Sequence, residues 1–301
     1  PSGIPRPLAS NLNYAAGQIR ANAAVVQVGA GASFDVFTTG GDVVVDITGY
    51  FAPSASATSG RFVSATPRRL LDTRDTSLVP AGGTVTLPLP AGVPADAVAL
   101  ALNITVTESV GAGFVTSYPA GTGRPVASSL NLDAAGQTRA AGGIYPVSPG
   151  GVTLFLSGGG HVVVDYAGYF GGASSSSSTA GLFVADAPLR LLDTRTAGAR
   201  LAAGASIGLP SSIAGTAVLN LTSVNGDAGF VSAFAAGADR PLVSNLNPAG
   251  NGDIVANFAA VTASAAGFTF FTSSATDLVV DVFGGFTSAG SLPPVPTTSP
   301  A

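Results

Sequence analysis

The stretch His161-Val162-Val163-Val164-Asp165-Tyr166-Ala167-Gly168-Tyr169-Phe170 decides how this chain is read, because it occurs three times. Residues 42–51 read Asp-Val-Val-Val-Asp-Ile-Thr-Gly-Tyr-Phe, and residues 277–286 read Asp-Leu-Val-Val-Asp-Val-Phe-Gly-Gly-Phe. Each copy has a β-branched apolar run, one central carboxylate, a Gly where the chain must bend, and a closing aromatic. That composition predicts a strand buried on both faces or nearly so, ending at a sheet edge. A low-complexity stretch follows each copy at once, so the copies mark the last strands of domains and count them.

Working outward, a second motif also occurs three times. Arg6-Pro7-Leu8-Ala9-Ser10-Asn11-Leu12-Asn13 returns with its Arg at 124 and again at 240, intervals of 118 and 116 residues. The carboxylates Asp46, Asp165 and Asp281 are spaced by 119 and 116 residues. A period of that size is a whole domain, too long for a solenoid or a propeller blade. A third motif, Arg69-Leu70-Leu71-Asp72-Thr73-Arg74, occurs only twice, returning as Arg190-Leu191-Leu192-Asp193-Thr194-Arg195.

This pattern predicts the C-terminal half of a repeat at residues 1–51 and full repeats at 61–170 and 182–287. Residues 52–60 and the Ser-rich 171–181 are flexible linkers by composition, and 288–301 is a Pro-rich extended tail. Within a repeat, strand signals fall at 84–89, 97–107 and 151–156, and Gly, Pro, Asn and Asp clusters separate them. No stretch carries a capped 3.6-residue apolar stripe. The expected fold is all-β, tandem antiparallel β-sandwich domains, jelly-roll-like or immunoglobulin-like. A trefoil or small barrel is the less favoured alternative.

Composition narrows the function. Only 9% of the 301 residues are charged, the net charge is −4, and all 12 basic residues are Arg. Without a basic patch, nucleic acid is excluded as a partner. With no Cys, neither disulfides nor thiolate metal sites contribute. No apolar run approaches the roughly 18 residues of a membrane span. The absence of Met implies that a leader or a longer N-terminal part has gone. Low charge with abundant Gly, Ala, Ser, Thr and Val reads as a secreted or surface β protein.

The three motifs in fixed order resemble a repeat seen in secreted and surface proteins of actinobacteria and related bacteria. The resemblance covers nearly the whole chain outside the linkers. It implies an extracellular β-domain, often an accessory to a hydrolase or a stalk, with no assigned chemistry. The third copy departs at Gly285, where the others have Tyr50 and Tyr169.

The candidate sites are sparse. Arg69, Asp72 and Arg74, with Arg190, Asp193 and Arg195, hold one carboxylate between two guanidiniums. That set suits either an anion site or a structural latch pinning a loop, and the latch is preferred. Asp46, Asp165 and Asp281 are expected to be buried and paired with an Arg of the same repeat. His161 is the only His and reads as a solvent-facing strand entry. Glu108 has no partner carboxylate for acid/base work. Gly29-Ala30-Gly31 and Gly158-Gly159-Gly160 read as turns. Asn103-Ile104-Thr105 and Asn220-Leu221-Thr222 match a glycosylation triplet, but within strands. Asn247, Asn251 and Asp253 are a weak Ca²⁺ candidate. No catalytic residue, cofactor or metal is expected.

Two functions follow. The first is a non-enzymatic extracellular structural or adhesive protein, a surface stalk or filament subunit built of repeated β-domains. Half a sandwich leaves an apolar face and an open edge. Upstream repeats of the same chain, or head-to-tail self-association in which a neighbouring chain completes the half-domain, would cover them. The alternative is a cell-wall or glycan-binding accessory module, with Tyr118, Tyr145, Tyr169 and Phe170 as its stacking surface.

Overall fold

The computed structural model describes residues 1–288 other than 30, 199, 212 and 214, so the Pro-rich tail lies outside the described residues. The first sandwich contains β1 (Phe62–Asp72), β2 (Gly83–Leu87), β3 (Ala99–Thr107), β4 (Gly113–Pro119), β5 (Leu130–Leu132), β6 (Arg139–Pro146), β7 (Val152–Leu156) and β8 (His161–Phe170). Its two antiparallel sheets have the orders β1-β8-β3-β6 and β2-β7-β4-β5. Consecutive strands alternate between the sheets except β4 and β5, which pair within one sheet, and this is jelly-roll and not immunoglobulin-like connectivity. The strand 161–170 lies between β1 and β3, so it is an interior strand and not at the expected sheet edge.

The second sandwich contains β9 (Phe183–Asp193), β10 (Ser206–Leu209), β11 (Gly215–Gly226), β12 (Val231–Ala235), β13 (Asp253–Thr262), β14 (Phe268–Thr272) and β15 (Asp277–Thr287). The orders β9-β15-β11-β13 and β10-β14-β12 reproduce the first sandwich with one strand fewer. A single bridge, Val231 to Leu246, stands where β4 pairs with β5.

Alternation places Leu100, Leu102, Ile104 and Val106 of β3 in the first core, against Val152, Leu154 and Leu156 of β7. The opposite face of β3 is buried too. Ala99 and Ala101 join Phe62 and Phe170 in a cluster with Val218, Phe258, Phe283 and Phe286 of the second sandwich. The inner sheets of the two sandwiches thus pack on each other, giving four layers. Small side chains permit the approach, and a Cβ on Gly142 of β6 would lie 2.0 Å from the Phe258 carbonyl oxygen.

Two expectations are corrected. Among the described residues 1–56 there is no strand, including 42–51. The reason is topological. Every ladder made by β5, β6, β7 or β8 has its partner among β1–β4. A segment equivalent to β5–β8 alone therefore has no partner for any of its strands. The linkers are also tied down. Ala57 bridges Ser178, Gly60 N–H donates to the Gly171 carbonyl, and the Arg61 guanidinium donates to the carbonyls of Ser176 and Ala180.

Candidate functional site

The Arg-Leu-Leu-Asp-Thr-Arg motif ends β1 and β9 and turns the chain into one short helical turn. At that turn Asp72 accepts the Arg74 backbone N–H at 3.2 Å and its Nε at 2.8 Å, and also Arg69 Nη1 at 3.0 Å. Arg69 in turn donates Nε to Asp165 Oδ1 at 3.0 Å, across to β8. The second sandwich repeats this set. Asp193 accepts Arg195 Nε at 2.8 Å and Arg190 Nη1 at 3.1 Å, and Arg190 Nε reaches Asp281 at 2.7 Å. Thr73 and Thr194 complete the latch, because their hydroxyls accept the buried N–H groups of Val162 and Leu278 at 2.8 and 2.9 Å.

Electrostatics follow the geometry. The hydrogen bonds from the Arg74 side chain hold the Asp72 carboxyl down to about 2. Those from Arg195 lower Asp193 in the same way. Burial pushes Asp165 up, while hydrogen bonds from Arg69 and from the Ser244 N–H oppose it. The carboxylates Asp72, Asp165, Asp193 and Asp281 are thus paired inside the fold. Asp46 differs from its counterparts: it is exposed, and among the described residues no Arg pairs with it.

The Ser244 contact belongs to a second constellation, which joins repeats. Ser244, in the third copy of Arg-Pro-x-x-Ser-x-Leu-Asn, donates its N–H to Asp165 at 3.1 Å and accepts Asn103 Nδ2 through its carbonyl. Asn257 of β13 accepts the Gly142 N–H at 2.7 Å and donates to Asn103 Oδ1 at 2.8 Å and to the Asn245 carbonyl at 2.7 Å. The N-terminal segment makes the same contacts on the second sandwich. Asn22 accepts the Phe258 N–H at 2.9 Å and donates to Asn220 Oδ1 at 2.9 Å and to the Asn11 carbonyl. Asn220 Nδ2 donates to the Ser10 carbonyl. Residue by residue, Asn22 plays Asn257, Asn220 plays Asn103, and Phe258 plays Gly142.

One heterologous interface is therefore used twice in the same direction, from the N-terminal segment to the second sandwich and from the second to the first. The closing phenylalanines show how it continues. Phe51, Phe170 and Phe286 form a near-equilateral triangle with centroid distances of 6.0, 5.7 and 5.4 Å. Elsewhere at the same junction, Arg20 reaches Asp133 and Asp253, each at 3.4 Å, and Arg139 reaches Asp253 at 3.7 Å. Asp253 is thereby occupied by guanidiniums and does not offer the proposed Ca²⁺ loop a free carboxylate.

The remaining sequence candidates fall elsewhere. His161 is half-buried, with Nδ1 3.2 Å from the Thr73 hydroxyl. Of the four aromatics expected to form a stacking surface, Tyr145 and Phe170 are buried, and the Tyr145 hydroxyl donates to the Ala141 carbonyl. The first Gly-rich turn includes residue 30, outside the described residues. Among the described residues no group of three or more His, Cys, Asp or Glu side chains is placed to hold a metal, and no helix is long and apolar enough to cross a membrane.

Sequence reading missed Asn22, Asn103, Asn220 and Asn257. Their signal was an Asn interrupting an apolar alternation at matching positions. It also missed the role of the motif arginines, which lie over matching aromatic rings: Arg6 over Phe37 at 3.9 Å, Arg124 over Phe155 at 3.8 Å and Arg240 over Phe271 at 4.1 Å. No protein-family model, curated protein or solved structure matches the chain.

Proposed function

We propose that this chain is a non-enzymatic extracellular structural or adhesive protein, a surface stalk or filament subunit built of repeated β-domains, whose N-terminal half-domain is completed by further polypeptide. One observation carries the reading. The charged motifs that recur along the chain spend their hydrogen-bonding capacity on pinning strands and joining repeats, which is the economy of a load-bearing scaffold. The aromatic set offered for a glycan platform turns inward at Tyr145 and Phe170, so the accessory-module reading ranks second.

Electron microscopy of natively purified material, together with cell-surface fractionation, tests this. Filaments or rods with a regular axial repeat on the surface fraction are the expected result. Discrete particles released from a co-purifying hydrolase, and binding isolated cell wall, would overturn it in favour of the accessory module.

A further inference from the structure

The ring of contacts described above has three positions, and only two hold a complete sandwich. Apolar residues of the N-terminal segment stand open where their counterparts are sealed. Val43 and Val45 are 53% and 55% exposed against 0% for Val162 and Val164, and Val36 is 55% exposed against 0% for Leu154. Covering this face calls for a specific occupant, because the two complete sandwiches show what fills each matching place.

Three places can be read. The first is the bend of the closing strand. A Cβ on Gly168 would lie 2.5 Å from the Phe62 ring and from the Val63 carbonyl, and one on Gly284 would meet Phe183 and the Val184 carbonyl. At Gly49 a Cβ meets nothing within 4 Å. Phe62 lies on its own Phe170 and on Phe286, at 5.1 and 4.7 Å, and Phe183 lies on its own Phe286 and on Phe51, at 5.2 and 4.8 Å. The same order leaves a seat for a third such Phe over Phe51 and Phe170. The second place is Asp46, which lacks the Arg that Asp165 and Asp281 receive from β1 and β9. The third is the end of β4. Ser2 donates its N–H to the Ser33 carbonyl at 3.3 Å, as Ala120 donates to Gly151 at 3.0 Å and Ala236 to Gly267 at 2.9 Å. Pro1 therefore occupies the place of Pro119, the last residue of β4.

From these places we infer that residues 1–51 bind a β1–β4-type half-repeat. That partner opens with a Phe, carries an Arg-Leu-Leu-Asp-Thr-Arg-like strand whose first Arg pairs with Asp46, and ends its fourth strand beside Pro1. The described residues of a second copy do not supply the occupant. In each copy β1–β4 and β9–β12 are already paired with β5–β8 and β13–β15, so among the described residues two copies hold two acceptor halves and no spare donor. The inference rests on the completion of the half-domain assumed under the proposed function, and names the partner.

The test uses the full chain with residues 60–118 duplicated directly ahead of Pro1, which recreates the Tyr118–Pro119 junction. A second graft uses residues 181–234, so that misfolding of one donor does not decide the matter. Amide hydrogen exchange across residues 42–51 is read in the parent and in both grafts. Slowing by about a hundredfold or more is expected. In the first graft, Arg69→Ala in the duplicated copy is expected to reverse most of that slowing, and Asp46→Asn is expected to restore part of it. Exchange at 42–51 as fast in both grafts as in the parent would overturn the inference, as would protection indifferent to the grafted Arg. Success here with discrete particles in the microscope would retain this partner and reject the filament or stalk.

Discussion

Replacing Arg69 with Ala isolates the energetic role of the latch. Asp165 sits on an interior strand with a 5% exposed side chain, and three donors reach it: Arg69 Nε at 3.0 Å, Arg69 Nη2 at 3.5 Å and the Ser244 N–H at 3.1 Å. The substitution removes two of these and the only cation within salt-bridge distance among the described residues. Breaking a buried pair from one side costs about 3–5 kcal/mol. The Arg69 side chain is 31% exposed, so water enters the vacated space and the lower end, about 3 kcal/mol, is expected. For a domain of this size that lowers Tm by roughly 10 °C. The sign of the pH dependence is diagnostic. Burial already pushes Asp165 above the usual carboxylate range, and without Arg69 it rises further. A carboxyl with a raised folded pKa binds its proton more tightly when folded, so the loss is smallest at low pH and grows as pH rises through that pKa. Thermal melts of Arg69→Ala from pH 4 to pH 8 should therefore converge on the parent at the acidic end. The double variant Arg69→Ala/Asp165→Asn should recover stability at pH 8. A loss that is independent of pH, or a double variant no better than the single, would refute the buried-pair account.

Asp72 behaves in the opposite sense. Its folded pKa of about 2 lies below the unfolded value, so its contribution is present above about pH 4 and is lost as pH falls toward 2. Asp72→Asn should flatten the acid limb of the stability curve by about 1 kcal/mol at this partly solvated site. Thr73→Val keeps the shape but strands the buried Val162 N–H, a loss of about 1–3 kcal/mol in denaturant titration. Gly142→Ala would place a methyl against the Phe258 carbonyl, so calorimetry should show the two sandwiches melting in separate transitions. Asn220→Ala removes the hydrogen bonds to Ser10 and Asn22. Proteolysis should then release the first 25 or so residues sooner while β11 stays protected.

What could be read from the sequence followed from period and chemistry. The triple closing strand, the paired Arg-Leu-Leu-Asp-Thr-Arg motifs and the 116–119-residue spacing led to an all-β sandwich. They also led to Asp165 and Asp281 as buried carboxylates, each to be paired with an unspecified Arg of its own repeat, a place that Arg69 and Arg190 take in the structure. Alternation located β3, because Leu100, Leu102, Ile104 and Val106 carry one side of it. Alternation could not show that its other side is buried too. Ala99 and Ala101 look like surface residues until a second sheet is laid on them, and Asn103 looks like a chance triplet until Asn257 and Ser244 face it. Jelly-roll order was equally hidden, since strand propensity says nothing of which strand is the neighbour. The strand expected at 42–51 failed for a related reason. Its local pattern matches β8, but a strand is completed by ladders, and those ladders belong to a different half of the repeat.

That dependence on distant partners bears on assembly. A heterologous interface propagates without limit unless its rotation closes, and contact among Phe51, Phe170 and Phe286 means that three units close it. Once the third position is complete, the inner sheets are all turned toward one another and no copy of this interface is left to recruit another molecule. Growth into a filament then has two routes. Either the half-repeat that fills the third position is carried by a separate chain that also holds an acceptor half of its own, so that each closure is also a link, or contact runs through the outer sheets, where Arg124 lies over Phe155 and Arg240 over Phe271. The routes separate cleanly. Alanine at Phe155 and Phe271 should dissolve assemblies of the second kind and leave the first intact, whereas Asp46→Arg should block the first by setting like charges together and leave the second untouched.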